Sequence, residues 1–187
     1  MFSTYCSFRF RLPVRTAVLS AKKKLTGTGG MVVGFSLMEE GIMVVPGNPL
    51  GIRSVADLAT PEARLVNREP GAALRILLDD ELARQVIPTA SINGYQREVR
   101  THNQGAQMVA CGAADAALGL RTKANAFGQD FVPMAEVRCD LVIPSDLVEH
   151  PTIQRILDVM QTRDLRDEIS HLPGYSPQET GKTISVF

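Results

Sequence analysis

The chain has 187 residues, 44% hydrophobic and 21% charged, with a formal net charge of zero. That length suffices for one good core or two small lobes. A balanced charge gives no long-range attraction for nucleic acid or an anionic membrane, so neither partner is expected and any anion site has to be built locally.

The first thirty residues differ from the rest. Arg9, Arg11, Arg15, Lys22, Lys23 and Lys24 are basic, Phe2, Tyr5, Phe8 and Phe10 are interleaved with them, and no acid precedes Glu39. Such a stretch has a transit-like composition, and aromatics among bases can also stack on RNA. A poorly ordered extension is the plainer reading and is preferred. Arg15 interrupts the one candidate apolar core of a secretory signal, so a cytoplasmic location is expected, or a periplasmic one if the true N-terminus differs. Thr26-Gly27-Thr28-Gly29-Gly30 has the composition of a linker and lacks the Gly-Lys-Ser/Thr end of a phosphate loop.

Beyond it, strands are expected near Val32–Leu37, Gly41–Val45, Arg64–Val66, Ala114–Gly119, Phe131–Pro133 and Asp140–Ile143. Helices are expected near Ser54–Ala59, with Ser54 as N-cap, and near Gly71–Gln85, Thr101–Cys111, Arg121–Phe127, Pro151–Gln161 and Asp164–Ser170. Gly112 and Gly128 fit as the left-handed residues that close their helices. Alternating elements with short connections imply a parallel or mixed α/β sheet, with Arg64–Val66 and Ala114–Gly119 as parallel neighbours. No apolar run is long enough to cross a bilayer. Cys6, Cys111 and Cys139 form neither a disulfide framework nor a C-x-x-C metal pair. Cys111 and Cys139 stand in apolar stretches and read as reduced packing residues.

The stretch Val66-Asn67-Arg68-Glu69-Pro70-Gly71-Ala72-Ala73-Leu74-Arg75 carries the most chemical information. A short apolar run enters a turn, and the turn opens a helix whose first N–H groups lack internal partners, which makes a natural anion seat. Arg75 lies one turn inside and can offer a two-pronged donor. Taken alone, this stretch is better read as a plain strand–turn–helix crossover, with Gly71 for the turn and Arg75 solvated.

Further motifs follow in order: Gly94-Tyr95, Thr101-His102, Gly112-Ala113-Ala114-Asp115-Ala116, Asp130-Phe131-Val132-Pro133, Asp140-Leu141-Val142-Ile143-Pro144 and Leu172-Pro173-Gly174-Tyr175. In this order and spacing the chain, from about Met31 to Ile184, resembles the periplasmic-binding-protein-like (type 2) family typified by molybdate-binding proteins. That domain also occurs fused to regulators and to molybdenum-cofactor biosynthesis proteins. The resemblance implies an α/β fold with one complete lobe at residues 47–137. Residues 31–46 form a first crossing and 138–187 a second crossing with the C-terminal helices of a partial lobe; residues 1–30 are the basic extension. The N-terminal half of that second lobe has no candidate in this chain. Apolar Val32–Leu37 and Leu141–Ile143 are therefore expected to be left uncovered, for a homodimer or a partner protein to occupy.

The resemblance places the ligand site at Asn67, Arg68, Gly71, Arg75, Tyr95, Thr101 and His102, and implies a small anion, molybdate or an organic acid, in uptake or sensing. The family pattern is close to Asn-Arg-x-x-Gly-Ser-Gly-Thr-Arg. Here Ala72 and Leu74 replace its two hydroxyl residues, which predicts a weakened, more apolar wall or a decayed site in a regulatory or interaction domain. Each residue also has a structural reading: Thr101 as a helix cap, Tyr95 as a packing tyrosine, Asp115 as a turn residue, Glu136 and Asp140 as supports of the hinge backbone. His102, His150 and His171 fall in separate contexts, so no metal or cofactor is expected. Glu39-Glu40 and Asp79-Asp80-Glu81 read as solvated charge runs. With no nucleophile–base spacing visible, catalysis is not expected.

Overall fold

The computed structural model describes residues 4–7 and 29–187. The basic extension, apart from the backbone of Thr4–Ser7, lies outside the described residues. The strands are β1 (Thr4–Ser7), β2 (Gly30–Val44), β3 (Leu65–Arg68), β4 (Glu98–Val99), β5 (Ala116–Leu120), β6 (Asp130–Pro144), β7 (Tyr175–Ser176) and β8 (Thr183–Val186). The helices are α1 (Ala73–Arg84), α2 (His102–Ala110), α3 (Arg121–Ala126), α4 (Pro151–Gln161) and α5 (Arg163–His171). Two compact units emerge: a central one, Glu39–Ala135, and an outer one made of the chain up to Met38 together with Glu136–Phe187.

In the central unit, β2 runs antiparallel to β5 from Glu40↔Leu120 to Val44↔Ala116. β5 is parallel to β3 (Leu65↔Ala116, Val66↔Ala117), as the sequence predicts. β3 is in turn parallel to β4, with Asn67 opposite Glu98 and Arg68 opposite Val99. Side chains alternate between faces. Met43, Val66, Val99 and Ala117 meet Ala106 and Val109 of α2. Gly105 permits the close approach of that helix, since a Cβ there would stand 3.3 Å from the Ala117 methyl. Helix α1 buries Leu74, Leu77, Leu78 and Leu82 at helical spacing and packs beside β3 and β5. Each such leucine contributes about 1.5–3 kcal/mol. Asp115 ties the starts of β3 and β5 by accepting from Arg64 N (2.9 Å), Nε (2.8 Å) and Nη2 (2.8 Å). Gly112 and Gly128 close α2 and α3 with φ of +73° and +65°.

Several expectations need correction. β2 and β6 are each one unbroken strand of 15 residues, not two short ones. Charged groups within them find partners in place: Glu39 pairs with Arg121, and Arg138 Nη2 with Asp140 Oδ2 at 2.8 Å two residues along the same strand. The expected helix at Ser54–Ala59 is a single tight turn, Ala56–Leu58, and Ser54 does not cap it. Instead Asp57 accepts from the Arg53 and Ser54 amides, both at 2.9 Å. Cys139 is buried, but Cys111 is exposed, because it occupies the solvent-facing C-cap of α2.

In the outer unit the expected bare surface at Val32–Leu37 is largely absent. Val32, Val33 and Leu37 are buried, and β2 pairs antiparallel with β7 and β8. α4 brings Ile153 and Met160 against Val33 and Ile143, and Leu165 of α5 packs beside them. His150 caps α4, its Nδ1 accepting from the Thr152 amide, and Thr162 caps α5. An apolar groove of about 530 Å³ stays open between Phe35, Leu141, Ile156, Val159 and Leu165 among the described residues.

Candidate functional site

β3 ends at Arg68 and β4 at Val99, side by side and parallel, and each chain end turns into a helix start. The crevice beyond the carboxyl ends of parallel strands is where open α/β sheets bind ligands. The turn after β3 uses Gly71 at φ +87°, a region that costs a glycine nothing. The two helix starts differ. α2 carries a capping box: Thr101 Oγ1 accepts from the Gln104 amide at 3.1 Å, and Gln104 Oε1 accepts from the Thr101 amide at 3.2 Å. Ala72, at the N-cap of α1, has suitable extended backbone (φ −67°, ψ 140°) but no side chain to accept. The first amides of α1 therefore lack a side-chain cap.

Arg68 is buried between these two starts. Its Nε and Nη2 donate to the two oxygens of Glu69, each at 3.0 Å, and Nη2 also donates to the Arg100 carbonyl at 3.0 Å. Its Nη1 stands 3.3 Å from Nδ1 and 3.4 Å from Nε2 of His102. An arginine can only donate, so the ring nitrogen that it addresses carries a lone pair. Burial, then the charges of Arg68 and Lys123, push the His102 pKa down to about 4, so the ring is neutral at pH 7.

The remaining predicted residues form a second assembly. The Arg75 guanidinium is buried 4.0 Å from the centre of the Tyr95 ring. Its Nη1 donates to the Arg68 carbonyl at 3.1 Å, its Nε lies 3.3 Å from Asp79 Oδ1, and Nη1 lies 3.6 Å from Glu98 Oε1. The Tyr95 hydroxyl donates to Asp79 at 2.6 Å. Asn67, fully buried, accepts from the Arg68 amide at 2.8 Å and donates to the Tyr95 carbonyl at 3.1 Å. The structure thus brings Arg68, His102, Gly71 and Thr101 to the strand ends, while Arg75 and Tyr95 brace the turn from behind. Leu74 does not wall a cleft: it is 1% exposed and points into the core.

The profile of the PBP superfamily domain matches residues 15–161. The chain belongs to the PBP superfamily. Over 163 residues, 87% of the chain, it is 31% identical to the Bacillus subtilis (strain 168) protein YvgK, of which it spans 52%. A Clostridium pasteurianum protein from the region 5′ of the 2Fe-2S ferredoxin gene is 33% identical over 111 residues, covering 59% of this chain and 98% of that one. Among solved structures, Peb3 from Campylobacter jejuni superposes with a TM-score of 0.57 at 17% identity, covering 87% of this chain and 76% of that one. An L-phospholactate-bound PEB3 gives 0.59 at 15% identity over 88% and 77%. The ancestral amino acid-binding protein AncCDT-1 gives 0.53 at 18% identity, over 80% and 61%. At these identities the solved structures establish the fold.

One group of this PBP domain escapes the sequence reading. Glu40, read as part of a solvated acidic pair, is 3% exposed on β2, and its Oε2 has no hydrogen-bond partner. Burial raises its pKa to about 7 against the pull of Arg68. The available signal is its place inside the long apolar run Met31–Val45. Neighbouring Glu39 faces the other way and pairs with Arg121, whose guanidinium covers the Phe131 ring at 4.7 Å. Among the described residues no group of three or more His, Cys, Asp or Glu side chains is placed to hold a metal. No helix among them is long and apolar enough to cross a membrane.

Proposed function

We propose that this PBP domain binds a small anion, either an oxyanion such as molybdate or phosphate or a small organic acid, and serves uptake or effector sensing, not catalysis. The observation that carries this reading is a buried arginine, Arg68, at the carboxyl end of β3, beside a neutral His102 and the uncapped start of α1. A buried guanidinium needs an anionic partner, and free helix-start amides favour one. L-Phospholactate, bound by PEB3, combines both anion types in one small molecule. Ala72 cannot supply a hydroxyl, so molybdate is bound more weakly than by relatives that keep one there. Arg75 supports the site by fixing the Arg68 carbonyl and is not itself a ligand contact.

The test is calorimetric titration of the full chain with molybdate, sulfate, phosphate, L-phospholactate and small carboxylates. At least one anion binds, and Arg68→Lys, which keeps the charge and loses the fork, weakens it by about tenfold or more. A folded chain that binds none of them would refute the proposal and favour an interaction domain with a decayed site.

A further inference from the structure

The two-pronged edge of Arg68 is already taken. The Nε/Nη2 side of a guanidinium matches the two oxygens of a carboxylate or oxyanion. Glu69, the next residue, fills it with two bonds of 3.0 Å. The two partners differ in freedom. The Arg68 side chain is 10% exposed and is held from its other sides by His102 and the Arg100 carbonyl; the Glu69 side chain is 35% exposed. Both oxygens of the Glu69 carboxylate are engaged by Arg68. A withdrawing Glu69 leaves the buried cation in need of a replacement anion, so exchange is feasible where simple release is costly.

We propose that Glu69 is an internal stand-in for the ligand: its carboxylate occupies the anion-binding edge of Arg68 and swings out when a ligand with two suitably spaced oxygens takes its place. This rests on the anion-site reading above. It also sharpens that reading, because a carboxylate or tetrahedral oxyanion can reproduce the two bonds lost, whereas a halide cannot. Binding strength is then set by the difference between two similar ion pairs.

The experiment titrates the same anions, with chloride added, into the unmodified chain, Glu69→Gln, Glu69→Ala and Asp80→Asn. The last removes an equal charge from an exposed position on α1 without touching Arg68. Both Glu69 variants should tighten the bound oxyanion by about fivefold, the size of a partly exposed ion pair, with Asp80→Asn unchanged. Chloride should bind none of the four appreciably. Equal affinities for the unmodified chain and both Glu69 variants would overturn the displacement mechanism and leave the anion site standing. An equal gain in Asp80→Asn would overturn it too, since charge alone would account for the effect. If all four proteins are folded by circular dichroism and none binds any oxyanion, both the mechanism and the anion-site reading fall.

Discussion

Glu40→Gln should change how the stability of the chain depends on pH. The native carboxyl, 3% exposed, has its pKa raised from 4.5 to about 7. Between those values the native state keeps a proton that the unfolded chain has released. Stability therefore falls as pH rises through this window and levels off above it. At 1.36 kcal/mol per unit, the native state above pH 7 is less stable by about 3 kcal/mol than a protein with a neutral group there. Glutamine is close in shape to the protonated acid and never ionises. Urea unfolding of both proteins at pH 4.5 and pH 8 isolates the effect, because every other titrating group is shared. The variant should gain about 3 kcal/mol on the unmodified chain between the two conditions. Parallel stability curves would refute the argument, meaning that Glu40 reaches water or a partner in solution.

Three further outcomes follow from the helix start and from what lies behind it. Ala72→Ser supplies the missing acceptor to backbone already in N-cap conformation, and should stabilise by about 1 kcal/mol in urea unfolding; no gain would show that α1 begins elsewhere. Arg75→Leu should destabilise by about 2–4 kcal/mol, mostly through the lost charged bond to the Arg68 carbonyl and the stacking on Tyr95. The half-exposed Asp79 and Glu98 add little. Arg75→Lys should recover part, with anion affinity nearly intact; a tenfold loss of affinity at unchanged stability would instead make Arg75 a ligand contact.

Much of the central unit was legible because its signals are local. Helical spacing over Leu74–Leu82, glycines at positive φ after α2 and α3, and small apolar strands at Leu65 and Ala116 each specify one element. The long strands were not, because the partners that let Glu39 and Arg138 sit within a strand, Arg121 above all, are not visible from the local sequence. The turn after β3 was legible as backbone, since Gly71 and the helix start that follows it are read from residue type. Which arginine stands at the strand ends was not. The sequence favours Arg75 as the two-pronged donor, and only the stacking on Tyr95 and the pairing with Asp79 show it turned inward. Cys111 was misread for a similar reason: an apolar neighbourhood in sequence does not say which side of a helix end meets solvent.

The unbroken passage of β2 and β6 through both units also bears on how the molecule assembles. The outer unit is built from sequence at both ends of the chain, with roughly a hundred residues between, and closing such a gap in an open chain costs about 4 kcal/mol. The central unit removes that cost. Its own first and last strands already lie together, since a Cβ on Gly41 would sit 3.1 Å from the Met134 amide. Once it has formed, the strand that starts the outer unit and the strand that continues it leave from neighbouring points. The order of events is thereby biased: Glu39–Ala135 organises first, and the outer unit closes only once β7 and β8 are available to pair with β2.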